Sequence, residues 1–315
     1  MTISDAAAPG RVSVVIPTHR DRGYIGETIA SALRNMAPGD EIIVAANGCT
    51  PEYLTWLRAS LEARVRLLVL PEAGVSAARN AGADLAAGDL LIMLDDDDLL
   101  ADGGVATMRA LLDDHPEWHA VTGDVELFGD GIPTKWRRHP SDPRALPPAV
   151  LLGSSITSPG AAMVRRSAFV QCGGFESRVI PCEDWDLWLK LVLRGPIMTV
   201  GTPTLRYRVH AEGVSQNAVR MGSTALRVFL HYLEAVRAIS TARACSWSAA
   251  RLCAWYVPRL RRAVWQSLRT GDILQAWRAL VLLARLARLR VALRWRVIGS
   301  AVWITGTPSP PTSRY

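Results

Sequence analysis

Five apolar residues followed at once by four carboxylates, Leu90-Leu-Ile-Met-Leu94 and then Asp95-Asp-Asp-Asp98, constrain this chain more than any other stretch. Five residues are too few for a typical helix, and a short apolar run bounded by polar groups reads as a strand buried on both faces. The carboxylates fall where that strand must leave its sheet. Two unit charges about 5 Å apart repel by roughly 0.8 kcal/mol even in water, and by more in a partly buried cleft. A fold that keeps four together relieves the repulsion with a cation or with raised pKa values. Hard oxygen donors suit Mg2+ or Mn2+, which are often held by one or two carboxylates plus substrate phosphates. The competing reading is a solvated acidic turn, and the buried strand feeding the run weighs against it.

Other strands and helices alternate around this one. Val12 to Ile16 is a β-branched run closed by Pro17-Thr18-His19. Residues 24–36 have helical spacing at Ile25, Ile29, Ala32 and Leu33, ended by Pro38-Gly39. Glu41 to Ala46 reads as a second strand ending in the turn Asn47-Gly48, residues 53–63 as a helix, and Val65 to Leu70 as a third strand. Glu72-Ala-Gly74 opens another helix that runs to Gly88. Such alternation predicts a mostly parallel sheet with helices on both faces. Ligands on such sheets bind outside the carboxyl ends of the strands, so the loops at His19, Asn47 and Asp95–Asp98 should converge. Residues 131–160 are rich in proline and basic groups and read as a long loop, either a binding loop or a solvated surface loop. Glu183-Asp184-Trp185-Asp186 precedes a leucine-rich helix, and Thr204 to Val209 reads as a strand before His210.

Seven short segments stand in a telling order. They are Pro17-Thr-His-Arg20, Glu41-Ile-Ile-Val-Ala-Ala-Asn-Gly48, Gly74-Val-Ser-Ala-Ala-Arg79-Asn-Ala-Gly82, Leu94 with Asp95–Asp98, Gly173-Gly-Phe175, Glu183-Asp-Trp-Asp-Leu-Trp-Leu189 and Tyr207-Arg-Val-His210. Over residues 11–215 this order resembles the family 2 glycosyltransferases of the GT-A fold. The resemblance implies an α/β fold with a mostly parallel sheet and an inverting transfer. The sugar would pass from a nucleotide-diphosphate donor to a hydroxyl of a glycan or lipid-linked acceptor, with Mg2+ or Mn2+ as cofactor. It implies that Pro17, Thr18, Asn47, Arg79, Asp95, Asp96 and Asp97 line the donor, and that Asp97, Asp98 and His210 serve the metal. It makes Glu183 and Asp184 the acceptor-side pair, with Asp184 as general base, because an acceptor hydroxyl needs a positioned group to take its proton. Asp186 lies two residues on, roughly 200° around the helix, and reads as structural. Family members usually carry an acidic residue that contacts the base where this chain has Ala46, so no base is assigned.

The charge is unevenly divided. Residues 1–219 hold 20 Lys and Arg against 27 Asp and Glu, whereas residues 220–315 hold 16 Arg against Glu234 and Asp272 alone. The basic part reads as helices over 221–238, 246–257 (stopped by Pro258), 259–268 and 273–298, with arginines mixed among Trp255, Trp265, Trp277, Trp295 and Trp303. An Arg/Trp mixture suits a helix lying at an anionic membrane surface. The alternative is a helical cap on the catalytic part with its arginines in water. No recognition motif accompanies the charge, so nucleic acid is not an expected partner. The expected organisation is a flexible residue 1–10 segment, a GT-A unit over 11–215, a basic helical region over 216–305 and a disordered Pro/Ser tail over 306–315.

Five cysteines without C-x-x-C spacing fit a reducing cytosol rather than a disulfide scaffold or zinc site. With no signal peptide pattern and no run of about 18 apolar residues, the expected place is the cytoplasm, peripheral on the inner face of the membrane. Two other enzyme classes fit less well. A metal-dependent nucleotidyltransferase wants a glycine-rich basic loop after the first strand, where only Gly23 stands. An aspartate-nucleophile phosphatase wants Thr or Val after its Asp-x-Asp, where Leu99 stands. A degenerate, non-catalytic sugar-nucleotide-binding protein is the non-enzyme alternative, motivated by Ala46.

Overall fold

The structure is a computed structural model that describes residues 10–129, 133–138, 156–210, 217–239 and 242–299. Most of residues 131–160, residues 1–9 of the expected N-terminal segment, and the expected tail over 306–315 lie outside the described residues.

One sheet organises the fold. Strands β1 (Val12–Thr18), β2 (Glu41–Asn47), β3 (Val65–Leu70) and β4 (Leu90–Met93) pair in parallel in the order β3-β2-β1-β4. All seven residues of β1 and of β2 are buried, as strands covered by helices on both faces require. Helices α1 (Ile25–Asn35), α2 (Pro51–Ser60) and α3 (Val75–Leu85) connect them. The start of α2 is fixed locally: Thr50 caps it by accepting from Tyr53 N–H, and Pro51 fills the first turn. Within α3, Gly82 is needed because a Cβ there would lie 2.3 Å from Val15 Cγ1 on β1.

Beyond β4 the sheet changes character. The order continues β8-β6-β9-β5 with β7 beside β6, where β5 is Leu99–Leu100, β6 is Ala120–Phe128, β7 is Lys135–Arg137, β8 is Ala162–Arg165 and β9 is Ile197–Arg208. β4–β8, β6–β8, β6–β7 and β5–β9 are antiparallel, and β6–β9 is parallel. The parallel expectation therefore describes the first half, and the second half is mixed. β9 starts seven residues before the expected Thr204. Its pairing skips Gly201 and Thr202 and then Thr204, in two register shifts on either side of Asp124, which hides the strand's alternation in the sequence. Helices α4 (Gly104–Asp114), α5 (Arg166–Gln171) and α6 (Glu183–Val192) complete the α/β part.

Three long helices follow: α7 (Ala218–Ile239), α8 (Ala242–Arg269) and α9 (Ile273–Gly299). α8 runs unbroken through Pro258, against the expected stop. A helical proline removes one backbone hydrogen bond. Here Leu252, Cys253 and Tyr256 before it, and Leu260 after it, are buried on one packed face, which holds both halves in line. α8 and α9 pack along one another, and α7 touches both and also α6. No described helix is long and apolar enough to cross a membrane.

Candidate active site

β2 and β3 extend to one side of β1 and β4 lies on the other, so the order in which strands are added reverses between β1 and β4. In open α/β sheets the crevice at the carboxyl ends beside such a reversal is where ligands bind. Thr18 ends β1 there, and the acidic run follows β4. Thr18 Oγ1 donates to Asp96 Oδ2 at 2.6 Å and lies 3.0 Å from Tyr53 Oη. Burial, aided by Asp97 and Asp95, pushes the Asp96 carboxyl up to about 6. Pro17 contributes as a buried strand residue beside Ala45.

The other three aspartates of the run have separate environments. Asp95 Oδ1 accepts from Arg79 Nη2 at 2.6 Å. Asp97 Oδ2 lies 2.7 Å from Arg22 Nη1 and 2.9 Å from His210 Nε2. Asp98, expected among the metal ligands, is held on both oxygens by protein groups. It has no exposed surface, its Oδ1 accepts from Arg208 N–H at 2.9 Å, and its Oδ2 accepts from Ser158 Oγ at 3.1 Å. Desolvation, with Asp95 and Asp97 nearby, raises its pKa well above the carboxylate range. Its carboxyl group ties the acidic turn to the end of β9 and to Ser158.

Asn47, expected beside the donor, has its side chain bonded within the fold. Its Nδ2 donates to Thr18 O at 2.7 Å and its Oδ1 accepts from Gly74 N–H at 2.9 Å. The amide thereby latches the end of β1 to the start of α3. Gly48 follows with φ +56°, and a Cβ there would meet Ala73 N at 2.7 Å, so only glycine lets the turn close. Ala46 is fully buried opposite Thr18 and offers no polar atom to a base.

Arg79 joins the two carboxylate groups that the sequence sets far apart. From α3 its guanidinium reaches Asp95 and also Glu183 Oε1 at 3.1 Å, while lying 5.0 Å from the Phe175 ring centre. Burial disfavours its charge, but Asp95 and then Glu183 outweigh that and raise its pKa. Asp184 stands beside Glu183 at the start of α6 and is partly buried. Its carboxyl is pushed up to about 7 by burial and then by the Glu183 charge, with the Trp185 N–H and Arg79 pulling the other way. That N–H occupies Asp184 Oδ1 at 2.7 Å. Among the described residues, Glu183 Oε2 is buried without a hydrogen-bond partner.

Arg22 and Arg208 also reach the acidic turn, although the sequence assigns neither a role. Arg208 donates to Asp97 O at 2.9 Å and to Glu27 Oε2 at 2.6 Å, and stacks on Tyr24 at 4.4 Å. Arg22 could have been found from its place in the loop at the carboxyl end of β1. For a metal, Asp97 and His210 form the available pair. Among the described residues, no group of three or more His, Cys, Asp or Glu is set to hold an ion. One carboxylate and one imidazole would hold a divalent ion only together with further ligands, such as the oxygens of a substrate diphosphate.

The pattern of glycosyl transferase family 2 matches residues 13–173. The O-antigen biosynthesis glycosyltransferase WbnJ of Escherichia coli is 25% identical over 244 residues, covering 70% of this chain and 89% of that protein. An uncharacterized glycosyltransferase of Haemophilus influenzae is 24% identical over 180 residues, 56% of this chain and 66% of that one. The chain spans between 62% and 66% of the length of that protein and two similar curated relatives. Among solved structures, S. aureus TarS 1–349 in complex with UDP-GlcNAc superposes with a TM-score of 0.52 at 15% identity, covering 84% of this chain and 89% of that one. GalNAc-T7 with UDP, GalNAc and Mn2+ gives 0.54 at 17% identity, over 70% of this chain and 48% of that one. With a matched pattern over half its length and these neighbours in fold, the chain belongs to glycosyl transferase family 2 and adopts the GT-A fold.

Proposed function

We propose that this protein is an inverting glycosyltransferase that moves a sugar from a nucleotide-diphosphate donor to a hydroxyl of a glycan or lipid-linked acceptor. The observation that carries the reading is the Arg79 bridge. One buried guanidinium holds Asp95, at the donor-side strand end, and Glu183, beside the proposed base. With Asp95 read as donor-side and Glu183 as acceptor-side, this bridge supports the reading, because positional catalysis requires the two held at fixed separation.

In this reading Thr18, Asp95 and Asp96 receive the nucleotide part of the donor, and Arg22 lies beside its diphosphate. Mg2+ or Mn2+ held by Asp97, His210 and the donor phosphates would stabilise negative charge on the departing nucleoside diphosphate. Asp184 Oδ2 takes the proton of the acceptor hydroxyl as its oxygen attacks the anomeric carbon from the face opposite the leaving group. Glu183 Oε2 accepts a hydrogen bond from the acceptor and orients it. A carboxyl raised to about 7 suits this work, since a base is most effective with its pKa near the operating pH. Residues 11–215 form the catalytic unit. The basic region 216–305 meets an anionic membrane surface, so that the protein works at the cytoplasmic face.

The test is a panel of sugar nucleotides incubated with Mn2+ or Mg2+. The expected result is metal-dependent release of nucleoside diphosphate from one donor, lost in Asp97→Ala. Release of pyrophosphate instead would place the protein among nucleotidyltransferases. Absence of turnover across the panel, with donor binding intact, would support a binding protein.

A further inference from the structure

We infer that the turn joining α8 to α9, with the helix ends beside it, is the membrane-docking surface of this protein and seats in the headgroup region of an anionic bilayer. This deepens the membrane reading above and rests on it. The turn is Thr270-Gly271-Asp272, with Gly271 at φ +74°. Around it six large apolar side chains stand in water. Trp265, Ile273 and Trp277 are 67%, 65% and 61% exposed, and Leu268, Leu274 and Leu280 are exposed as well. A soluble surface seldom concentrates apolar groups in this way without a partner.

The arrangement is ordered by helix geometry. On α8, Arg261, Arg262, Leu268 and Arg269 lie three or four residues from Trp265 and share its face. On α9, Ile273, Trp277 and Leu280 line one face with Leu274 beside them. Ala276, Ala279, Leu282 and Leu286 are buried on the other. Among the described residues, the exposed set is therefore distinct from the core stripe of α9. The inner stripe is already packed.

The charge chooses the occupant. Residues 259–280 hold Arg259, Arg261, Arg262, Arg269 and Arg278 but one acid, Asp272. Asp272 Oδ1 accepts from Gln275 N–H at 2.9 Å and serves as the cap of α9. Arg259 lies 3.8 Å from the ring centre of Trp255, and Arg269 lies 5.7 Å from that of Trp265, so cation and ring present together. A second copy docking through the same patch about a two-fold axis would set like charge against like charge. Anionic lipid supplies the missing counter-charge. Tryptophan and arginine together suit the headgroup level, where an apolar body and a polar tip are both satisfied. The helices need not cross the bilayer to do this, and no described helix could.

The experiment is co-sedimentation of the full chain with vesicles of phosphatidylcholine alone and of phosphatidylcholine mixed with phosphatidylglycerol. The wild type should bind the mixed vesicles, bind the neutral ones weakly, and release as salt is raised. Trp265→Ser with Trp277→Ser should lower the partition coefficient on mixed vesicles by about tenfold or more, from the lost apolar burial. Ile273→Ser with Leu274→Ser is an independent variant of the same surface with the same expected loss. Arg261→Gln with Arg262→Gln should weaken binding to mixed vesicles only. Thermal melts and donor turnover should be unchanged in all three. If the wild type binds neither vesicle at low salt, the membrane reading itself fails. If it binds and both apolar variants bind equally well, membrane contact lies elsewhere and the hairpin assignment fails. A wild-type dimer that the apolar variants dissolve, without lipid binding, makes the patch a contact between copies and overturns the proposal.

Discussion

Arginine serves opposite ends in the two regions of this molecule. Arg79 is buried between Asp95 and Glu183, and Arg208 lies across Tyr24 with its donors on Asp97 and Glu27. Those of the α8–α9 hairpin, Arg261, Arg262, Arg269 and Arg278, stand exposed beside tryptophans. A buried cation must be matched by anions and hydrogen bonds, because its desolvation is costly when it is left alone. It therefore fixes geometry. An exposed cation costs almost nothing to hold and contributes little to stability. It is free to meet something outside. Matched charge holds the crevice together, and the exposed charge is what the proposed docking surface would use.

The comparison can be broken at several points. The largest effect should come from Asp184→Asn, which should keep donor affinity and lower transfer by about 10²–10⁴, the range of general-base catalysis. Transfer kcat measured beside donor Kd decides it, and more than about half of wild-type transfer would move the base to Glu183. The same residue has a pH signature. Its folded pKa of about 7 lies above the 3.8 of an unperturbed Asp. The folded state thus binds the proton more tightly. This group's contribution to stability is complete below about pH 4 and is lost as pH rises through about 7. Denaturant unfolding of the apo protein across this window should show that downward slope, to which Asp96 and Asp98 also contribute, and Asp184→Asn should make it shallower. Wild-type transfer should fall on the acid side of about pH 7 as the base becomes protonated.

Next in size is Arg79→Met. Removing one partner of a buried ion group leaves the other uncompensated, and about 3–5 kcal/mol of unfolding free energy should be lost. A loss below about 1 kcal/mol in urea unfolding would mean that Arg79 does not hold the crevice together. Tyr232→Phe removes the 2.8 Å hydrogen bond to Asp186 Oδ1 and should cost about 1–3 kcal/mol. The smallest effect should be that of Arg262→Gln, within about 0.5 kcal/mol by the same unfolding measurement. A large loss there would show that the hairpin arginines are structural after all and erase the contrast.

What the sequence made legible follows from how local each signal was. β1 to β4 announce themselves as apolar runs punctuated by Pro17, Gly48 and the acidic turn, and the bounds of β3 fell where expected. The crevice was legible as well, because strand alternation alone sends the loops at His19, Asn47 and Asp95 to one edge. Asp98 was not, since four identical residues give no sign of which one turns inward toward Arg208 and Ser158. The bond from Arg79 to Glu183 joins residues 104 apart, and no periodicity reports a contact of that span. Pro258 misled because propensity is local, whereas the face formed by Leu252, Tyr256 and Leu260 is a tertiary fact. The arginine excess after residue 220 was plain in the sequence. Its concentration with bare apolar groups at one turn needed the hairpin to be folded.

One turn of α6 carries Glu183, Asp184 and Asp186 together. The first meets Arg79, and the last meets Tyr232 Oη on α7 at 2.8 Å while pairing with Lys190 Nζ at 2.6 Å. The proposed base is thus bolted to the helical layer through its own helix rather than tethered to it by a linker. A part mounted in this way has a set height. If the hairpin rests on a plane, the mouth of the crevice stands at one elevation above it, as a gauge clamped to a bench reads one level. Reach would then sort acceptors as firmly as chemistry does, passing those whose hydroxyl rises to that elevation and missing those that lie flatter or stand taller.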